Sequence, residues 1–125
     1  TFVTLSPIPG FVKWLAETNQ LDESSISQTL LPLAAYYLLE AKQRTGLPRD
    51  PVARFHLNNG ALVETVHADA DISANGLAQS CGVMVNYRYD LNKISTNHEA
   101  YANQQLVVAS KAVKALAEQV QLVDA

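Results

Sequence analysis

Apolar and polar positions alternate over the first six residues, with Phe2, Val3 and Leu5 apolar, and this predicts a strand over 1–6. Ser6 precedes Pro7, which favours extended backbone at the serine. Pro9-Gly10 marks a turn. Phe11, Trp14 and Leu15 then recur at i, i+3, i+4 and predict a short helix over 10–18. Residues 19–28 are polar and read as a loop or a weak helix. A strong helical pattern runs over 30–44 through Leu31, Ala34, Ala35, Leu38 and Leu39. Pro32 is tolerable only in its first turn, and Gly46 is placed to end it.

The second half is more punctuated. Asp50-Pro51 pairs an N-cap acid with proline at the first helical position and predicts a short helix to Leu57. Asn58-Asn59-Gly60 turns the chain, and residues 61–66 read as a strand. Residues 67–80 are small and polar, with Ser73 as a cap for a short helix to Ser80. Residues 83–89 fit a strand or a helix, and pattern alone does not separate the two. From Asn97 to the C-terminus one long helix is predicted, with Leu106, Val113, Leu116 and Val120 on one stripe.

At 125 residues the chain has the size of one domain, and 48% apolar residues supply one core. Only 17% of residues are charged and the net charge is −3, which is no electrostatic footprint for DNA or RNA. No apolar run approaches the roughly 18 residues of a membrane span. The 125 residues themselves show no signal-peptide pattern and no targeting tripeptide. A single cysteine, Cys81, cannot form an intrachain disulfide, which fits a cytoplasmic protein in a reducing cytosol. The chain opens directly on a strand without methionine, so it is expected to be a piece of a longer protein.

Several side chains are candidates for chemistry. Ser6 sits at a strand end, where open α/β sheets place ligands, or it simply caps the turn before the next helix. His56, among Ala53, Phe55 and Leu57, has the titration range for proton transfer, or it is a core histidine satisfied by a backbone carbonyl. Tyr87 and Tyr89 would share a face on a strand. There they either donate to a developing oxyanion or act as core aromatics. His67, Asp69 and Asp71 resemble a metal string, but with no second histidine at helical spacing a solvated loop is the better reading. In Gln79-Ser80-Cys81-Gly82-Val83-Met84, the bulk of Met84 argues against a phosphate cradle, and Cys81 has no evident basic partner.

Three strings, taken together and in order, resemble the malonyl-CoA decarboxylase family. They are Leu5-Ser6-Pro7-Ile8-Pro9-Gly10-Phe11 with Trp14-Leu15, Asp50 through Ala61 with Phe55-His56-Leu57-Asn58-Asn59-Gly60, and Gly76 through Asp90 with Ser80, Gly82, Met84, Asn86, Tyr87 and Tyr89. The chain departs from the family pattern at Asn58 and His67-Ala68, away from the reacting groups. The resemblance implies an α/β (α+β) class, part of an acetyltransferase-like (GNAT) fold with a mixed sheet flanked by helices. It implies conversion of malonyl-CoA to acetyl-CoA and CO2, with Ser6, His56 and Tyr89 as catalytic residues and Ser6 and His56 also contacting substrate. No cofactor or metal is implied, because the CoA thioester is itself the substrate. The family's CoA-binding turn and N-terminal helical domain are expected outside residues 1–125, with homo-oligomer contacts in other parts of the full-length protein. The competing expectations are an acyl-CoA-dependent acyltransferase of the same fold and a non-catalytic binding or assembly fragment.

Overall fold

The computed structural model describes residues 1–18 and 26–120. In chain order the elements are β1 (Phe2–Pro7), α1 (Phe11–Glu17), α2 (Ile26–Glu40), α3 (Pro51–Asn58), β2 (Leu62–His67), α4 (Ala74–Ser80), β3 (Met84–Tyr89), α5 (Ile94–Gln104) and α6 (Lys111–Glu118). The three strands form an antiparallel sheet in the order β1-β3-β2. The expected mixed sheet is therefore antiparallel among the described strands, and parallel pairing is confined to one bridge between Val63 and Ala109. Among the described residues no helix is long and apolar enough to cross a membrane.

Of residues 83–89, ambiguous by pattern, Met84–Tyr89 form strand β3, because both neighbouring strands pair with it. Its alternation puts Val85, Tyr87 and Tyr89 on the buried face. The β1 register sets Phe2, Thr4 and Ser6 opposite Tyr89, Tyr87 and Val85, so these residues share that face. A bulge at Glu64 lets β2 place both Val63 and Val66 in the core.

Three helix boundaries differ from the periodic pattern. Helix α2 begins at Ile26 and ends at Glu40, so Pro32 lies in its interior and forgoes one ladder hydrogen bond. Of the stretch expected as loop or weak helix, 19–25 lie outside the described residues. Gly46 does not end α2: at φ 87° it turns a small loop in which Lys42 pairs with Pro48. The long helix expected from Asn97 is two helices. Gln105 closes α5 in the left-handed region, and Val107 and Ala109 run extended into the core beside β2. Ser110 then caps α6, its Oγ accepting from the Val113 amide at 3.2 Å and donating to the Glu64 carbonyl at 2.7 Å. Residues 121–125 of that expectation lie outside the described residues.

The core nearest the sheet's first strand is aromatic. Phe11 and Trp14 of α1 pack on Tyr37 of α2 with ring centroids 5.8 and 5.3 Å apart. Each such ring contributes roughly 2–3 kcal/mol by leaving water. Gly10, at the N-terminus of α1, faces the Tyr37 hydroxyl so closely that a Cβ there would collide with it. Its backbone angles, φ −94° and ψ 1°, suit any residue, so the need for glycine is steric. Gly10→Ala is expected to lower stability by about 1–3 kcal/mol. Gly10→Ala should cost less in a Tyr37→Phe background than in the wild type, since the other near atoms lie at 3.6 Å. Denaturant melts of both single variants and the double variant test this, and an undiminished cost of Gly10→Ala in the Tyr37→Phe background refutes the steric account.

Candidate active site

Ser6 is the penultimate residue of β1 and is 6% exposed. Its Oγ lies 3.1 Å from His56 Nε2 and 3.4 Å from Thr4 Oγ1. It does not cap the following helix: the N-cap of α1 is Gly10, with no side-chain cap bond. The proline after Ser6 keeps the strand extended to its last residues, which aims the hydroxyl across the sheet face.

His56 lies in the last turn of α3. That helix starts as the Asp50-Pro51 signal predicts, with Asp50 Oδ2 accepting from the Ala53 amide at 3.1 Å. The imidazole lies flat on Tyr87, centroids 4.3 Å apart and planes 19° apart. Phe55 meets its edge at 5.2 Å. Its Nδ1 is 2.5 Å from the Tyr89 hydroxyl. Tyr89, the last residue of β3, is in turn stacked on Phe2 at 4.7 Å.

The structure thus brings together the three side chains singled out from sequence, as a string Ser6–His56–Tyr89 drawn from β1, α3 and β3. Both ring nitrogens face an oxygen. Burial holds the His56 pKa below the ordinary histidine value and pushes the Tyr89 phenol up. At neutral pH the string is therefore a neutral imidazole between two neutral hydroxyls. One ring nitrogen donates and the other accepts. If Nε2–H donates to Ser6, Nδ1 accepts from Tyr89 and the Ser6 proton is free for a ligand. In the other tautomer Ser6 donates to Nε2, and the pair has the form of a nucleophile and its base.

The other candidates lie elsewhere. Tyr87 supports the imidazole by stacking, and its hydroxyl is fully buried with no hydrogen-bond partner among the described residues. His67 Nε2 bonds Asn86 Oδ1 at 2.5 Å on the opposite face of the sheet, and Asp71 accepts from the Ser73 amide and hydroxyl. Cys81 is half-buried in the left-handed cap after α4, where burial raises its thiol pKa. The amides of Cys81, Gly82 and Val83 all bond carbonyls within Gly76–Ser80, so they are committed inside the turn. Sequence reasoning missed Thr4, although it stands two positions before Ser6 on the same strand face. It read Asp50 only as a helix cap, whereas the side chain also accepts from the Gly10 amide at 3.4 Å and the Tyr37 hydroxyl at 3.2 Å.

Comparison with known proteins places this geometry. The model of the malonyl-CoA decarboxylase C-terminal domain matches residues 17–124, a span that holds His56 and Tyr89 but not Ser6. The mitochondrial malonyl-CoA decarboxylases of Anser anser anser and Rattus norvegicus are 33% and 32% identical over 165 aligned positions. Each alignment covers 96% of this chain and 32% or 33% of the relative, so the chain spans about a third of the length of these relatives. The aligned stretch exceeds the chain's own 125 residues, so the relatives carry additional residues within it. Among solved structures, malonyl-CoA decarboxylase from Rhodopseudomonas palustris superposes with a TM-score of 0.85 at 41% identity, over 93% of this chain and 33% of that one. The Agrobacterium vitis enzyme gives 0.84 at 39%, over 92% and 35%. With a family model matched over most of its length and the three signature strings folded onto one another, this chain belongs to the malonyl-CoA decarboxylase family.

Proposed function

We propose that this chain carries the proton-transfer half of a malonyl-CoA decarboxylase site, converting malonyl-CoA to acetyl-CoA and CO2. The observation that supports the reading most is the Ser6–His56–Tyr89 string, in a member of this family. The activity is proposed for the whole protein. The contacts to CoA are assigned to parts outside these residues, since the chain spans about a third of its relatives. On this reading the sheet and helices form part of an acetyltransferase-like domain, and the protein is a homo-oligomer through its other parts. The lone Cys81 supports a reducing compartment, which we take to be the cytoplasm, although the vertebrate relatives carry the word mitochondrial in their names.

Loss of CO2 from a malonyl thioester leaves the enolate of the acetyl thioester. The breaking C–C bond must stand out of the thioester plane so that its electrons enter the carbonyl system. The thioester accepts those electrons, so the step needs no metal or organic cofactor. One proton is then consumed at carbon. Ser6, with its hydrogen freed by the Nε2–H tautomer, holds the carboxylate out of plane or polarises the thioester oxygen. His56 delivers the proton to carbon, and Tyr89 at Nδ1 keeps the ring oriented for it. A half-buried neutral imidazole is a poor proton source by itself. The negative charge of the arriving substrate carboxylate opposes the effect of burial and favours the imidazolium.

Ser6→Ala and His56→Asn, each made in the full-length protein, should lower CO2 release from malonyl-CoA by about 10²-fold or more. Near-normal turnover in either removes that residue from the mechanism. The isolated 125 residues should release no CO2, and measurable turnover by this piece alone would overturn the assignment of CoA contacts elsewhere.

The pH profiles follow from the lowered pKa of His56. A required imidazolium makes activity fall as pH rises. In kcat/KM, which reports the free enzyme, the falling limb should lie below the ordinary histidine value of 6.5. In kcat, which reports the complex, the limb should move to higher pH because the substrate carboxylate is present. Coincident limbs, or a free-enzyme limb above 6.5, count against His56 as the donor. The same lowering favours proton uptake by the unfolded chain, so His56 should cost stability as pH falls below its ordinary value.

A further inference from the structure

Ser6 and His56 come from elements 50 positions apart, and their hydrogen bond is one closure of a ring. From Ser6 the chain runs through Pro7, Ile8 and Pro9 to Gly10. The Gly10 amide donates to Asp50 Oδ1 at 3.4 Å. From Asp50 the chain runs along α3, entered by Pro51, back to His56. The two arms of this ring are stiff. One holds two prolines with fixed φ, and the other is helical. With stiff arms, the separation at one closure governs the separation at the other.

The Asp50 closure is built for that task. The residue has no exposed surface, although it is a carboxylate with no salt-bridge partner among the described residues. A helix cap alone needs one oxygen at the rim of a helix, and that is Oδ2 toward Ala53. The second oxygen does something different: Oδ1 takes the Gly10 amide and the Tyr37 hydroxyl together. Tyr37 is 1% exposed and packed against Phe11 and Trp14, so the clamp is fixed to the aromatic core. The lack of room for a Cβ at Gly10 belongs to the same contact. Burial raises the Asp50 pKa against the pull of these hydrogen bonds, which is the cost of placing a carboxyl here.

We infer that Asp50 is a positioning residue for the reaction: its Oδ1 fastens the turn after β1 to the start of α3 and thereby sets the distance between the Ser6 hydroxyl and the His56 imidazole. The inference rests on the decarboxylase reading for its kinetic consequence, and on geometry alone for its structural one.

Asp50→Ser separates the two duties. Serine is as good an N-cap as aspartate but is too short to reach Gly10 and Tyr37 as well. In the full-length protein, kcat for CO2 release should fall roughly tenfold to a hundredfold while KM stays within about threefold, since a displacement of the reacting groups near 1 Å has that effect. Long-range 1H–15N spectra of selectively labelled histidine should show the His56 ring nitrogens shifted, because the Ser6 contact at Nε2 is lost. Pro9→Gly softens the other arm without touching the carboxyl and should act in the same direction more weakly. It is the deciding variant if Asp50→Ser does not fold. Wild-type kcat with unchanged ring signals in the folded variant overturns the inference. A fall in kcat with unchanged ring signals does so too, because a merely structural role would give it. If the wild-type protein itself releases no CO2, the decarboxylase reading fails and the ring spectra alone decide the positioning role.

Discussion

An imidazole drawn partly out of water is most comfortable when it is neutral and both nitrogens are met. His56 meets that condition through two hydroxyls and one aromatic face. The partners come from β1 and β3 and the ring from α3, so it is satisfied only where β1, α3 and β3 converge. Much of the surrounding structure can be understood as what it takes to make them converge. The sheet register brings Ser6 and Tyr89 to one face, and α3 lays the ring across Tyr87 between them.

Magnitudes show which forces do the holding. A neutral hydrogen bond such as Ser6–His56 contributes about 1 kcal/mol net. Each buried aromatic or large aliphatic side chain contributes roughly 1.5–3 kcal/mol. The core below the site contains Phe11, Trp14, Leu15, Tyr37, Leu57 and Tyr87, all nearly inaccessible. Packing therefore fixes where β1 and α3 lie, and the hydrogen bonds select among the small displacements that packing permits. Catalytic geometry is sensitive on that smaller scale. Such a division leaves the Ser6–His56–Tyr89 string polar and uncharged at rest.

Local chemistry made much of this legible in the sequence. The extended backbone at Ser6-Pro7, the Asp50-Pro51 cap, the Gly60 turn and the Ser73 cap each act over a few residues, and each appears where its residues stand. Ser6, His56 and Tyr89 were singled out by residue type and family resemblance, and the fold brings them within hydrogen-bond distance. What pattern did not reveal was decided by distant partners. Met84–Tyr89 is a strand because β1 and β2 flank it. The stretch from Gln105 to Ala109 leaves helix because Val63 offers it a backbone partner at 2.9 Å through Val108. The second oxygen of Asp50 was invisible for the same reason, since its partners lie 40 and 13 positions away.

The central place of β3 bears on how the chain assembles. β1 and β2 both pair with β3 and not with each other, and Phe2 finds its register partner at Tyr89. Synthesis must therefore reach β3 before either interstrand ladder can close. Such long-range pairing slows folding, because the entropy of a large loop is lost before any contact rewards it. Until then the apolar side chains of Phe2, Val3 and Leu5 on β1 wait unpaired, a state in which edge strands are prone to join other chains. The arrangement that unites serine, histidine and tyrosine thus makes β1 depend on a strand that follows it by some eighty residues.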